Sequence, residues 1–441
     1  MLPKIPNKIP TTTTLKIKTK PKNIYLSPCI TLLFFNPSLR FAEVQQGPPI
    51  EVFAINKAFA DCTSEKKVNI SVGAYRTDEG KPWVLPVVRK VEAELASDMS
   101  LNHEYLPILG MEAFATAAAK MLLGASHPAI TEGRVTSVQS LSGTGGLRVA
   151  ADFLCRVLKY NTAYYSSPTW GNHRLIFSDA GFTELRQYRY WDAATRGLNF
   201  DGMIEDLTNA PENSVIIFHA CAHNPTGVDP TQDQWKKIAD LVEEKKLFPL
   251  FDSAYQGFAS GDLDNDAWAV RYFAERGFEM MGTQSFSKNF GLYNERIGNL
   301  MIVVKDPACI TPMRSQLTLL VRGSYSNPPC HGARVVSRVL NDPALFEEWK
   351  DCIRTMSGRI IEMRKGLRER LEKLGTPGKW DHITAQIGMF SFTGLSAKFL
   401  CDKYHVFILS NGRINMCGIT TGNIDHVAEA INDAVCNVSK A

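Results

Sequence analysis

Two apolar runs, Ser214-Val215-Ile216-Ile217-Phe218-His219-Ala220 and Phe248-Pro249-Leu250-Phe251-Asp252, are separated by a stretch from Pro230 to Lys246 that reads as a helix. Runs of this length and character read as buried strands. Ala163 to Pro168 reads as another strand, and the partly apolar Gly277 to Gln284 as one more. Strands that alternate with helices, with polar residues just past the strand ends, are the pattern of an open α/β sheet that takes its ligand at the carboxyl edge. A chain of 441 residues, 44% hydrophobic and 21% charged, is long enough to build that sheet and a second domain.

Composition excludes several classes. No apolar run approaches the roughly 18 residues of a membrane span. The ten cysteines form no Cys-x-x-Cys pair, and none stands at zinc-like spacing with the nine histidines. They read as reduced thiols, and no metal site is expected. The first 40 residues hold six lysines, Arg40 and six prolines, with no acid before Glu43; a net charge of +4 therefore leaves the body at −3. The basic excess belongs to this segment, and nothing in the body suggests a nucleic-acid surface. Residues 1–40 read as a disordered basic extension. A mitochondrial presequence is the alternative, weakened by the lysines and by prolines that interrupt an amphipathic helix.

The chemistry centres on Lys288, which follows a strand in Ser285-Phe286-Ser287-Lys288. Burial and a nearby cation lower a lysine's pKa and leave neutral amine, able to form a Schiff base and to move protons. Ser285, Ser287 and Arg296 could hold a phosphate beside it. Asp252, at the end of an apolar run, could keep a pyridine nitrogen protonated, with the phenol of Tyr255 three residues on; alone, it could equally cap a helix. In Ser142-Gly143-Thr144-Gly145-Gly146, ahead of a helical stretch, exposed N–H groups and the helix dipole favour a phosphate. Together these residues compose a pyridoxal phosphate site. Trp170 past a strand end is by itself a packing residue, Asn224 before Pro225 a turn residue, and Gly73 a turn glycine. Arg413 and Arg322 offer guanidinium forks suited to carboxylates, or ordinary surface salt bridges. Phe346, Trp349, Ile353, Met356, Ile360, Met363, Leu367, Leu371 and Leu374 recur every three or four residues, one long amphipathic helix devoted to packing.

On the blocks Ser285 to Arg296, Phe251 to Phe258, His219 to Gly227 and Ser167 to His173, the chain resembles the aspartate aminotransferases of the fold-type I pyridoxal phosphate enzymes, from about Phe41 to the C-terminus. Asn102 to Gly110 looks more like the cytosolic than the mitochondrial form. The resemblance implies a large domain over 84–345 with a mostly parallel seven-stranded sheet, one strand antiparallel. It also implies an N-terminal arm and part of a small α/β domain over 41–83, and a linking helix with the rest of that domain over 346–441. It implies transfer of an amino group from aspartate to 2-oxoglutarate by a homodimer in the cytoplasm, acting on small dicarboxylic substrates, with neither membrane nor nucleic acid involved. Lys288 then carries the cofactor covalently and moves the proton. Asp252 serves the ring nitrogen, Tyr255 and Asn224 the phenolic oxygen, and Trp170, supported by His173, the ring face. Ser142, Gly143, Thr144, Ser285, Ser287 and Arg296 hold the phosphate, joined by Tyr105 from the partner. Arg413 takes the substrate α-carboxylate, Arg322 of the neighbouring chain the side-chain carboxylate, and Gly73 lies on a segment that closes over substrate. A relative acting on aromatic amino acids is the runner-up, which Arg322 argues against; a catalytically silent binding protein is the other, which Lys288 and Asp252 argue against. The chain departs from the family pattern between Asp152 and Ser167, where it is several residues short. It departs again between Leu395 and Lys403, about three residues short and near Arg413, and at Ala385, where an aspartate is usual.

Overall fold

The apolar runs become strands buried on both faces. A computed structural model describes residues 40–438, so the extension expected over 1–40 lies, apart from Arg40, outside the described residues. From Pro49 onward the chain forms one compact unit, which contains the sheet. Its seven strands are β1 (Val135–Leu141), β2 (Thr162–Ser167), β3 (Glu184–Arg189), β4 (Val215–His219), β5 (Phe248–Ser253), β6 (Met280–Ser285) and β7 (Ile297–Val303). Their spatial order is β1-β7-β6-β5-β4-β2-β3. Neighbours from β6 through β3 are parallel, and β7 runs antiparallel to both β1 and β6. The sheet is thus mostly parallel with one reversed strand, as the resemblance implies.

Side-chain alternation explains why β4 is apolar throughout. Ile216 and Phe218 enter one core with Phe251, Trp235 and Phe273, while Val215 and Ile217 enter another with Leu250, Leu147 and Phe153. A strand covered by helices on both faces leaves no position for a polar residue until its end.

Helix α1 (Ser142–Arg156) starts directly where β1 stops. The glycine-rich stretch is therefore the first turn of the helix itself and not a loop ahead of it. Gly146 permits this: a Cβ there would meet Thr283 Cβ at 3.3 Å, so the helix lies close on β6. Helix α2 (Asn172–Ala180) follows β2, and α3 (Gln232–Glu244) joins β4 to β5. A capping box between Thr231 and Gln234 starts α3, which buries Trp235, Ile238, Ala239 and Val242 at helical spacing. After β7 come α4 (Ile310–Ser324) and the 31-residue α5 (Pro343–Lys373), capped by Asp342 with proline at its first position. The expected stripe of α5 is buried from Trp349 to Leu371, but Leu374 caps the helix and is exposed.

Beyond α5, Phe390–Phe392 pairs antiparallel with Arg413–Asn415, and Val406–Phe407 pairs parallel with Val68–Asn69. Residues before 84 and after 346 thereby share strands and a core that includes Ile70, Met363, Ile414 and Val427. No helix among the described residues is long and apolar enough to cross a membrane.

Candidate active site

Parallel register carries the polar strand ends to one edge. His219 pairs with Asp252, and Asp252 in turn with Thr283, so the residues that close β4, β5 and β6 stand side by side. A cavity of about 300 Å3 opens at this edge. Lys288, Asp252, Tyr255, Asn224, Trp170 and Gly73 line it, as do Ser142, Gly143, Thr144, Ser285, Ser287 and Arg296.

One end of the cavity is built for an anion. Ser142 Oγ lies 2.9 Å from both Ser285 Oγ and Ser287 Oγ, and Ser142 is also the first residue of α1, at φ 60°. Three hydroxyls, the amide ends of a helix and a guanidinium thus meet in one place. Gly143 keeps the place open, because a Cβ there would lie 3.3 Å from Ser285 Cβ. Burial lowers the pKa of Arg296, though a guanidinium remains charged through any working pH.

A buried carboxylate also lines the cavity. Asp252 Oδ2 is 3.1 Å from His173 Nε2, and His173 Nδ1 is 2.8 Å from Thr169 Oγ1. Burial pushes the Asp252 carboxyl up, but the His173 hydrogen bond and the Lys288 cation outweigh it and hold the group below its ordinary range. An ionised carboxylate only accepts, so the Nε2–H of His173 donates to it. Beside them His219 is driven well below its ordinary pKa by burial and is neutral. Trp170 stands edge-on to His173 with ring centroids 5.4 Å apart.

The same cavity is lined by an amine. Lys288 keeps part of its surface open to the cavity, with Nζ 5.0 Å from the centre of the Tyr255 ring. Burial lowers its pKa to about 8 against the pull of Asp252, and the cations Arg296 and Arg413 add to the lowering. Asn224 Nδ2 donates to the Tyr255 hydroxyl at 3.4 Å, and burial pushes that phenol up, with Arg413 opposing. Arg413 borders the cavity through Asn224: its Nη1 donates to Asn224 Oδ1 at 3.1 Å and its Nη2 to the Ser71 carbonyl at 2.7 Å. Phe390 backs the guanidinium at 4.2 Å. The same ring closes off Gly73, where a Cβ would come within 3.1 Å of Phe390 Cζ.

Two expected residues are not brought to this cavity. Tyr105 is 87% exposed and lines a second, open cleft of about 620 Å3 that shares only Arg296 with the first. Arg322 lies exposed on α4 with its Nη1 on Ser326 Oγ. Conversely, His219 and Tyr293 line the cavity without having been marked as site residues in the sequence. His219 ends an apolar run in register with Asp252, which is the signal that finds it. Tyr293 lies in the block around Lys288, and its hydroxyl accepts the Tyr75 N–H at 2.9 Å.

A family model described as aminotransferase class I and II matches residues 65–431. Over 406 residues the chain is 56% identical to a Gallus gallus protein named aspartate aminotransferase, cytoplasmic, covering 90% of this chain and 98% of that one. Among solved structures it is similar to the aspartate aminotransferase from Saccharomyces cerevisiae cytoplasm, with a TM-score of 0.87 and 43% identity over 90% of this chain and 98% of that one. It is also similar to an aromatic-amino-acid aminotransferase from Burkholderia pseudomallei covalently bound to pyridoxal phosphate, with a TM-score of 0.88 and 39% identity over 90% and 100%.

Proposed function

This chain belongs to the class I and II aminotransferases, and from that membership we propose how its own residues divide the work of the reaction. The activity is that of an aspartate aminotransferase: the amino group of L-aspartate passes to 2-oxoglutarate, giving oxaloacetate and L-glutamate, with pyridoxal 5'-phosphate as cofactor. The cofactor supplies a protonated pyridine ring that draws off the electron pair left when the substrate α-carbon loses its proton.

The residues present fit that group. A triad of hydroxyls at a helix start, with Arg296 beside it, matches a phosphate. Asp252 matches a ring nitrogen that must keep its proton, and the amine of Lys288 lines the same cavity. In this reading Ser142, Gly143, Thr144, Ser285, Ser287 and Arg296 hold the phosphate. Asp252 accepts the ring N–H and is kept ionised and oriented by His173. Asn224 and Tyr255 donate to the phenolic oxygen, and Trp170 covers the ring and excludes water. Lys288 Nζ, with a pKa of about 8, is partly neutral near pH 7 and so can take the α-proton and return it. Arg413 receives the substrate α-carboxylate on a fork whose other face is already fixed by Asn224 and Ser71. Gly73 keeps the entrance narrow without a side chain of its own.

The observation that carries this assignment is the gathering of Lys288, the Asp252 carboxylate and a hydroxyl triad on the wall of one cavity. Steady-state kinetics test it: aspartate and 2-oxoglutarate varied together are expected to give the parallel double-reciprocal lines of a two-stage transfer. A higher kcat/KM for phenylalanine than for aspartate would replace the dicarboxylate reading with the aromatic one.

Tyr105 and Arg322 complete the site from a second copy in a two-fold dimer, since each lies outside its own chain's cavity. Residues 84–345 then form a large cofactor-binding domain, and residues 41–83 with 346–441 a small one that bears Arg413. We place the protein in the cytoplasm, in line with the name of the chicken relative. Fluorescence of a tagged full-length chain in mitochondria would instead support a presequence in residues 1–40.

A further inference from the structure

Three side chains from three segments meet beside Trp170. His173 Nε2, a ring nitrogen of His219 and a carboxylate oxygen of Asp252 all lie within 4.8 Å of one another, and all three residues are buried. Two features set this cluster apart from chance crowding. Neither ring nitrogen of His219 has a hydrogen-bond partner among the described residues, although only 6% of the residue is exposed. A buried polar group left unsatisfied is costly, and each one in a native structure calls for an occupant. In addition, the 3.1 Å from His173 Nε2 to Asp252 Oδ2 is close to the roughly 3.3 Å that separates neighbouring ligand atoms around a tetrahedral zinc with bonds of about 2.0 Å.

The second contact of His173 allows the ring to serve either purpose. Thr169 Oγ1, 2.8 Å from Nδ1, is a hydroxyl that accepts as readily as it donates. When Nδ1–H donates to Thr169, the lone pair of Nε2 faces the cluster. A hydrogen bond of this kind on the outer nitrogen is what fixes the tautomer of metal-binding imidazoles.

We propose that the cofactor-free form of this chain binds one zinc ion through His173, His219 and Asp252, with water from the cavity as fourth ligand, and that zinc and cofactor exclude one another. Two imidazoles and a carboxylate are donors that suit zinc better than magnesium or calcium, which take oxygen ligands in larger number. The exclusion rests on the reading that Asp252 serves the cofactor's protonated ring nitrogen, because a zinc dication on that carboxylate neutralises its charge and repels the protonated ring beside it. Zinc sensitivity would then be confined to newly made or cofactor-depleted enzyme.

The test uses the full chain stripped of cofactor and titrated with zinc chloride by calorimetry, with cobalt(II) as an optical substitute. Expected are one zinc per chain, a tetrahedral cobalt spectrum, and at least about tenfold weaker zinc binding by His219→Gln. Cofactor-loaded enzyme takes up none, and zinc slows cofactor recovery in proportion to its occupancy. Unchanged zinc affinity in a His219→Gln protein with native circular dichroism overturns the site. Should that variant fail to fold, the wild-type measurement decides alone: absence of stoichiometric zinc, or an octahedral cobalt spectrum, overturns it. Absence of zinc binding by the unmodified cofactor-free chain, with cofactor binding intact, faults the metal site only, whereas zinc and cofactor held together on one chain overturn the exclusion and fault the Asp252 reading.

Discussion

Arg413 and Arg322 are both marked in the sequence for a carboxylate, and they end in opposite surroundings. Arg413 is buried, held by Asn224 and the Ser71 carbonyl, with Phe390 behind it. Arg322 is exposed on α4, with Ser326 as its hydrogen-bond partner. One guanidinium is fixed before substrate arrives, so little rotamer entropy remains to be lost on binding. The other is on the surface, far from being organised by its own chain, and Tyr105 shares its condition. In the proposed site a single chain completes one half and not the other, and the shared-site reading assigns the second half to an interface between two copies.

The largest effect strikes the complete half. Lys288→Ala removes the amine from a cavity that keeps its hydroxyl triad and Asp252. Transamination is expected to fall to background with cofactor still retained, read from the visible spectrum of the purified variant and from single-turnover assays with aspartate. Near-normal turnover would remove Lys288 from the reaction.

Asp252→Ala acts on the same half by leaving the ring nitrogen without its acceptor. The expected loss in kcat is about a thousandfold, or roughly 4 kcal/mol of transition-state stabilisation. A loss under about tenfold, roughly 1.4 kcal/mol, would make the carboxylate a structural group and the His173 contact its purpose.

The complete half was also the more legible one. Continuous apolar runs identify β4 and β5, and their polar ends identify Asp252, because a strand covered on both faces can carry chemistry only where it emerges. Direction is another matter. The reversed β7 follows from no periodicity in Ile297–Val303, since an apolar run reads alike in either sense; the resemblance supplied it. Ser142 to Gly146 was legible as an anion site but not as the first turn of a helix, which depends on how closely Gly146 lets α1 approach Thr283. His219 escaped because Asp252 is brought to it by sheet register and His173 by helix α2, neither by spacing in the chain. The places where a departure from the family pattern is expected also differ in surroundings. Between Asp152 and Ser167 lie the end of α1, a turn and β2. Between Leu395 and Lys403 lies most of a helix, Ala397–Tyr404, and Arg413 is buried. Ala385 ends a short helix and is exposed, so an aspartate there would face solvent.

A pH measurement sharpens the contrast between the arginines. Lys288 has its pKa lowered to about 8, chiefly by burial, with Arg296 and Arg413 contributing and Arg322 not among the causes. The neutral amine is the nucleophile that captures added cofactor. The capture rate of cofactor-free enzyme is expected to rise about tenfold per pH unit below 8 and then to level, whereas an ordinary lysine would keep rising to about 10.4. Arg413→Met removes a cation that opposes protonation of Lys288, so its plateau should move to higher pH; Arg322→Met should leave the plateau in place. A shift of equal size in both variants would erase the distinction.

The smallest effect decides the interface. Lys288→Ala and Arg322→Ala are prepared separately, each nearly inactive, and refolded as an equal mixture. Random assortment makes about half of all dimers mixed. In a mixed dimer the site built on the Lys288-bearing chain receives Arg322 from its partner and is whole, while the other site lacks both residues. Activity should therefore return to roughly a quarter of that of the unmodified enzyme. If Arg322 instead swings into its own chain's cavity, every site in the mixture lacks one residue or the other and nothing is regained. Mixed dimers shown to be present, by mass difference between differently tagged chains, with activity still at the level of the separate variants, would put both arginines within one chain and leave the exposure of Arg322 to be explained by movement of α4.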